Sequence, residues 1–279
     1  MSNWGLWGGG GYTDVLGNVP ASSRGTQINR NATINTEGTW TELVASTARE
    51  YQGFVLSAVK AYGVTELRAP QIDVAVGAAG SEKFLLENIT IGGINTTTAS
   101  AGEHILIPVV IPAGSRVAVR YQNGEISAHL NVLIHGFSSN WLLPYGFHRA
   151  TTYGADATDS GGTKVDAGAV ANTEGAYVEF SASTTNPIRA ITPIIFHSLD
   201  DQTIESSFLF DIAVGAAASE VVIVEDIPIV TSRVEAAGPQ VTPPLPVDIP
   251  SGTRLSVRAR CSVTTANSRY LDVVLLCFD

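Results

Sequence analysis

Asp73-Val-Ala-Val-Gly-Ala-Ala-Gly-Ser-Glu82 recurs as Asp211-Ile-Ala-Val-Gly-Ala-Ala-Ala-Ser-Glu220, eight identities in ten at a spacing of 138 residues. In Ile72-Asp-Val-Ala-Val76 the β-branched residues alternate onto one face, and Gly77-Ala-Ala-Gly80 then turns the chain, so the block reads as a strand entering a hairpin. Further blocks repeat in the same order. Ser2-Asn3-Trp4 returns as Ser139-Asn140-Trp141, Gly25-Thr26 as Gly162-Thr163, and Asn35-Thr-Glu-Gly38 as Asn172-Thr-Glu-Gly175, each 137 residues on. Ile111-Pro-Ala-Gly-Ser-Arg-Val-Ala-Val-Arg120 returns as Ile249-Pro-Ser-Gly-Thr-Arg-Leu-Ser-Val-Arg258, with six identities and four conservative changes. Leu130-Asn-Val-Leu-Ile134 matches Leu271-Asp-Val-Val-Leu275 at 141. Ordered blocks whose offset drifts so little mean a duplicated domain with small loop insertions, since a period this long is a whole domain and not a solenoid unit.

The repeat units are therefore 1–137 and 138–279, divided near Gly136 to Gly146, where Pro144, Tyr145 and Gly146 break any regular pattern. Within them the reading is a glycine-rich N-terminal segment over 1–24, a first domain over 25–137 and a second over 138–279. Arg116-Val-Ala-Val-Arg120 reads as a strand with Val117, Val119 and Tyr121 inward and both arginines outward. Asn123-Gly124 predicts a type I′ hairpin leading into a strand over 125–134. Gln52–Val64 and Arg189–Leu199 also read as strands, and no long segment shows helical spacing with caps. Seven or eight short strands per half predict an all-β fold of two tandem antiparallel sandwiches, jelly-roll-like in arrangement.

Composition bounds the rest. The chain is 44% hydrophobic and 15% charged, a balance that supports packed cores and excludes intrinsic disorder. A net charge of −10 argues against general nucleic-acid binding, which needs a basic footprint. No stretch approaches the roughly 18 apolar residues of a membrane helix, so no membrane insertion is expected. Residues 1–11 lack the basic and apolar regions of a signal peptide, so none is expected there, and synthesis in the bacterial cytoplasm is the expectation. If Cys261 and Cys277 flank a hairpin turning near Ala266-Asn267, they do not face each other, and two buried free thiols are expected.

Catalytic signatures are missing from the sequence. Of the five histidines, only His129 and His135 lie close together, on one face of a straight strand, and no Cys-x-x-Cys occurs. Gly136-Phe-Ser-Ser-Asn140 lacks the second glycine of a nucleophile elbow. The Gly8–Gly11 run lacks the Lys-Ser/Thr ending of a phosphate loop and reads as a tether. Asp156 to Asp159 has the carboxylates of a calcium loop without its full spacing. Asp200-Asp201 and Glu225-Asp226 read as acids on exposed turns. No enzyme, metal or cofactor is expected. Arg116, Arg120, Arg254 and Arg258 form an outward forked-donor stripe, read either as a solvated face or as an inter-subunit or inter-lobe interface.

The blocks Asn-Thr-Glu-Gly-x-(Trp/Tyr)-x-Glu, Asp-x-Ala-Val-Gly-Ala-Ala-x-Ser-Glu and Ile-Pro-(Ala/Ser)-Gly-(Ser/Thr)-Arg resemble proteins of tailed phages and phage-like particles, in particular the head-spike fibre of gene transfer agents. The resemblance spans both halves and rests on these fold-level blocks. It implies a virion-surface, homo-oligomeric fibre, trimeric or pentameric, that attaches to a spike base or capsid protein and touches host capsular polysaccharide. On that reading Trp4, Trp7, Gly8, Gly9, Gly10 and Gly11 anchor the particle end. The candidate sugar-contacting aromatics are Trp141, Tyr145, Tyr153, Tyr177 and Tyr270. A capsid decoration protein without glycan binding and a polysaccharide-degrading virion enzyme stand as the alternatives.

Overall fold

The computed structural model describes residues 12–19, 25–60, 70–91, 103–124, 129–138, 147–156, 158, 160–197, 204–231 and 239–279. The first half supplies β1 (Thr13–Leu16), β2 (Thr26–Asn29), β3 (Thr41–Val44), β4 (Gly53–Lys60), β5 (Gln71–Val76), β6 (Lys83–Thr90), β7 (Glu103–Ile107), β8 (Val117–Gln122) and β9 (His129–Phe137). The second supplies β10 (Ala150–Tyr153), β11 (Ala155–Asp156), β12 (Gly161–Asp166), β13 (Val178–Ser181), β14 (Ile188–His197), β15 (Ser206–Val214), β16 (Val221–Thr231), β17 (Gln240–Val241), β18 (Leu245–Ile249), β19 (Leu255–Cys261) and β20 (Tyr270–Phe278). A single 3₁₀ turn at Ala266–Ser268 is the one helical element among the described residues.

Each half is a sandwich of two antiparallel sheets. In the first lobe β1-β9-β4-β7, with β2 also on β9, faces β3-β8-β5-β6. The second lobe repeats this with β10 and β12 on β20, then β14 with β17 and β18, opposite β13-β19-β15-β16. Register repeats as well as order. Tyr51 bridges Ile111 as Ile188 pairs with Ile249, and Asp73 lies opposite Arg120 as Asp211 lies opposite Arg258. Irregular backbone recurs too: Asn35 and Asn172, and Asn88 and Asp226, all hold positive φ between 50° and 56°.

The alternation read from sequence places the cores. Ile72, Val74, Val117, Val119 and Tyr121 are fully buried between the sheets of the first lobe. Ile212, Val257, Ala259 and Leu255 do the same in the second. Removing such side chains from water is the dominant favourable contribution to the fold.

Three sequence expectations are corrected. Asn123-Gly124 does not close a hairpin, because β8 pairs with β3 and β5 whereas β9 pairs with β1, β2 and β4 in the other sheet. Asn123 is instead buried, and its carbonyl accepts the Asn35 N–H at 3.0 Å, so the turn crosses between layers. Cys261 and Cys277 are both buried and free, but for a different reason than a hairpin register: β19 and β20 also belong to opposite sheets. Finally, the 1–24 segment contains β1, hydrogen-bonded along β9 from Thr13 opposite Phe137 to Leu16 opposite Ile134.

The lobes share a hydrophobic cluster. Ala190, Ile194, Val274, Leu276 and Phe278, on the outer face of the second lobe's β14 and β20, pack into the cluster of the first lobe. A polar latch borders it. Gln71 Nε2 donates to the carbonyls of Gly161 (2.7 Å) and Asp156 (3.2 Å), Gln122 Nε2 donates to Gln71 Oε1 and Ser160 Oγ, and Ser160 Oγ donates to Asn35 Oδ1.

Candidate functional site

The three repeated blocks converge on the outer face of β3-β8-β5-β6 and again on β13-β19-β15-β16. Arg116 Nε donates to Glu42 (2.7 Å), while its Nη1 reaches Glu82 (3.1 Å) and the Gly77 carbonyl (3.2 Å). Arg254 repeats this with Glu179 (2.6 Å), Glu220 (3.0 Å) and the Gly215 carbonyl (3.2 Å). One strand pitch further along, Arg120 Nε donates to Asp73 at 2.8 Å and its head pairs with Glu37. Arg258 does so with Asp211 at 3.0 Å and Glu174 at 3.4 Å. Strand alternation puts residues i and i+4 on one face, which is why both arginines of each block enter one lattice.

An aromatic ring lies under each inner arginine. The Arg120 guanidinium sits 4.6 Å from the Trp40 ring centre and 5.3 Å from that of Phe84; Arg258 sits 4.8 Å from Tyr177. Such cation–π stacking holds a guanidinium plane that also makes directional bonds to carboxylates. The four arginine side chains are only 16–25% exposed, so the stripe is a packed lattice within each lobe and not a solvated face.

The lattice perturbs two equivalent carboxyls. Burial, the nearby negative charge of Asp73 and a hydrogen bond to Asp73 that only the protonated acid can donate push Glu37 up to about 7, against the opposing pull of Arg120. Burial and Asp211 likewise raise Glu174, with Arg258 and Arg260 opposing. Glu37 and Asp73 share one guanidinium, whereas glycoside hydrolysis needs its two carboxyls about 5–10 Å apart across a sugar bond. The acids at Glu225-Asp226 do not converge on a groove: Asp226 is held by Arg260 at 2.8 and 2.9 Å.

The remaining candidates are dispersed. Tyr153 Oη accepts the Thr185 N–H, Tyr177 belongs to the lattice, and Tyr270 stacks with Lys164 and Arg269. Trp4, Trp7, Gly8 to Gly11, Trp141, Tyr145, Asp159 and Asp200-Asp201 lie outside the described residues. Asp156 Oδ1 accepts from both N–H and Oγ1 of Thr158, as in an Asx turn. Among the described residues no three His, Cys, Asp or Glu side chains are grouped to hold a metal. Sequence reading passed over Trp40 and Phe84, whose ring centres lie 5.7 Å apart with Phe84 42% exposed. The signal was present: Trp40 and Tyr177 occupy the variable aromatic position of the first repeated block.

No protein-family model matches the chain, and no curated protein does. Among solved structures it is similar to the tandem CBM22-1-CBM22-2 domains of Paenibacillus barcinonensis Xyn10C, at 11% identity over 97% of this chain and 91% of that one, TM-score 0.29. It is also similar to the major capsid protein P2 of bacteriophage PM2, at 11% identity over 96% and 98%, TM-score 0.35. Infectious bursal disease virus VP2 matches at 11% identity over 84% of this chain and 57% of that chain, TM-score 0.24. At these scores the likenesses assign no function.

Proposed function

We propose that this chain is a non-enzymatic structural subunit of a phage-like particle, a head-spike or fibre protein that projects from the capsid and contacts host capsular polysaccharide. The observation that carries the reading is where the repeated blocks meet. Glu37, Trp40 and Glu42, then Asp73 and Glu82, then Arg116 and Arg120 form one ion-pair lattice, and their counterparts form it again. The same blocks carry the resemblance to particle proteins. A pattern that survives duplication in order to brace a sheet supports a building part, whereas an enzyme would spend its repeated polar residues on a cleft. Trp40 and Phe84 are the aromatic surface this reading assigns to sugar contact, and the segment with Trp4 and Trp7 is the attachment segment.

Binding of the purified chain to encapsulated host cells, against a capsule-deficient strain, tests the proposal. Capsule-dependent binding without released sugar fragments is expected. Equal binding to both strains would favour a decoration protein, and fragment release would establish the degrading enzyme.

A further inference from the structure

The junction between the lobes displays a mode of docking whose two halves are each present a second time on the surface. Phe147, just ahead of β10, forms a parallel bridge with Val109 after β7. Val110 N–H donates to the Phe147 carbonyl (3.0 Å), Phe147 N–H donates to the Pro108 carbonyl (2.9 Å), and the ring stacks on Phe278 at 5.5 Å. The duplication places Pro246, Val247 and Asp248 where the first lobe has Pro108, Val109 and Val110, and Ile223 where it has Leu85. Val109 and Leu85 are buried. Their counterparts Val247 and Ile223 are half-exposed and line an open cavity of about 230 Å³. Beside it runs the edge strand β16, with Val221 62% and Val230 53% exposed. The backbone of that edge is closed, since Gln240 Nε2 donates to the Val230 carbonyl (2.6 Å), Pro228 has no N–H and the Asp226 N–H is taken by Asp211, so β16 offers a side-chain face and not a pairing edge.

The complementary half is duplicated too. On the second lobe, Thr192 opposite Leu276 and Ile194 opposite Val274 belong to the sheet face turned toward the first lobe. On the first lobe, the matching pairs are Val55 opposite His135 and Ser57 opposite Leu133; Ser57 is buried against His104 at 2.9 Å, while Val15 beside them is 45% exposed. The segment leading to the face is also repeated, since Ser139-Asn140-Trp141 before β10 corresponds to Ser2-Asn3-Trp4 before β1. The counterpart of Phe147 itself is Gly10, and the aromatic residues of that segment are Trp4 and Trp7.

We infer that the cavity at Val247 seats the N-terminal segment of a second copy of this chain, with the outer sheet face of that copy's first lobe against β16. Each chain has one seat and one segment, so the contact is heterologous and closes as a ring or extends as a fibre. Backbone pairing of the segment along Pro246 to Asp248, as Phe147 pairs with Pro108 and Val110, supplies affinity, and the cavity supplies side-chain selection. Leu209 and Arg260 stand where the first lobe has the latch residues Gln71 and Gln122, so the contact between chains lacks that latch and is reversible. The inference does not rest on the particle reading; in a fibre, the copy at the base would have its segment left for a different partner.

Two complementary variants test it by sedimentation across a concentration series. A chain lacking residues 2–11 keeps every described residue and its seat; Val247→Asp keeps the segment and charges the seat. The full chain is expected to associate with rising concentration, each variant alone at least about tenfold more weakly. The two variants mixed are expected to form a one-to-one dimer that cannot extend. A monomeric full chain, undiminished association of the truncated chain, or no dimer in the mixture would overturn the inference. Should Val247→Asp lose its β-sheet circular dichroism, Ile223→Asp takes its place in the same mixture.

Discussion

Asp73, 2% exposed in β5, accepts the backbone N–H of Asn88 at 2.6 Å, and Asp211 in β15 accepts that of Asp226 at 2.9 Å. Both donors hold positive φ at a break in register between the paired strands, 53° at Asn88 and 55° at Asp226. One carboxylate oxygen pins the bulge while the other takes an arginine, so a single residue ties the sheet edge to the surface lattice.

Asp73→Ala strands the bulge N–H and leaves the partly buried Arg120 guanidinium with Glu37 as its remaining carboxylate, and a loss of about 2–3 kcal/mol is expected, below the full cost of breaking a wholly buried pair. Asp211→Ala is expected to cost a similar amount. Chemical denaturation measures both, and a loss under about 0.5 kcal/mol would remove the bulge-pinning role.

Gly80 and Ala218 close the same turn at φ 81° and 64°. A Cβ on Gly80 meets no atom within 4 Å, so the backbone conformation alone sets the cost there. Ala218→Gly is expected to stabilise by about 0.5–1 kcal/mol and Gly80→Ala to destabilise by about as much, because the left-handed penalty exceeds the added entropy of glycine. Thermal unfolding of the pair reads both signs.

How much of this was legible in the sequence follows from what a residue pattern encodes. Alternation in Ile72–Val76 and Val117–Tyr121 gave the buried faces, and the repeated blocks gave the duplication, because both are local or self-similar signals. The Asn123-Gly124 turn was misassigned because period-two patterning says which way a side chain faces and nothing about which sheet the strand joins. The arginines were seen as outward, but Glu42 lies 74 residues before Arg116 and Glu37 lies 83 before Arg120, a separation only the fold closes. Phe147 carries no local mark of its seat.

Glu37 supplies a pH test. A carboxyl raised on folding from 4.5 to about 7 binds more protons folded than unfolded across that window, so native stability falls as pH rises through it. Glu37→Gln removes this dependence. Between about pH 5 and about pH 8 the wild type is expected to lose stability relative to the variant, and below about pH 4.5 the difference is constant. Parallel profiles over the whole range would contradict the assignment. Glu174→Gln is expected to shift the profile in the same direction.

Burial pushes the thiols of Cys277 and Cys261 above their ordinary range, and both are 2% exposed. Thiolate reagents are expected to label neither in the native chain and both after unfolding, with no reductant required. Rapid native labelling would mean that the second lobe opens without global unfolding.

The most direct test of the account is to ask where the chain resides. Gold-labelled antibody against the second lobe, applied to purified particles from cells that make this protein, is expected to mark projections at a few sites on the capsid. Particles free of label, with the protein left in the cell lysate, would contradict its assignment as a particle-surface subunit.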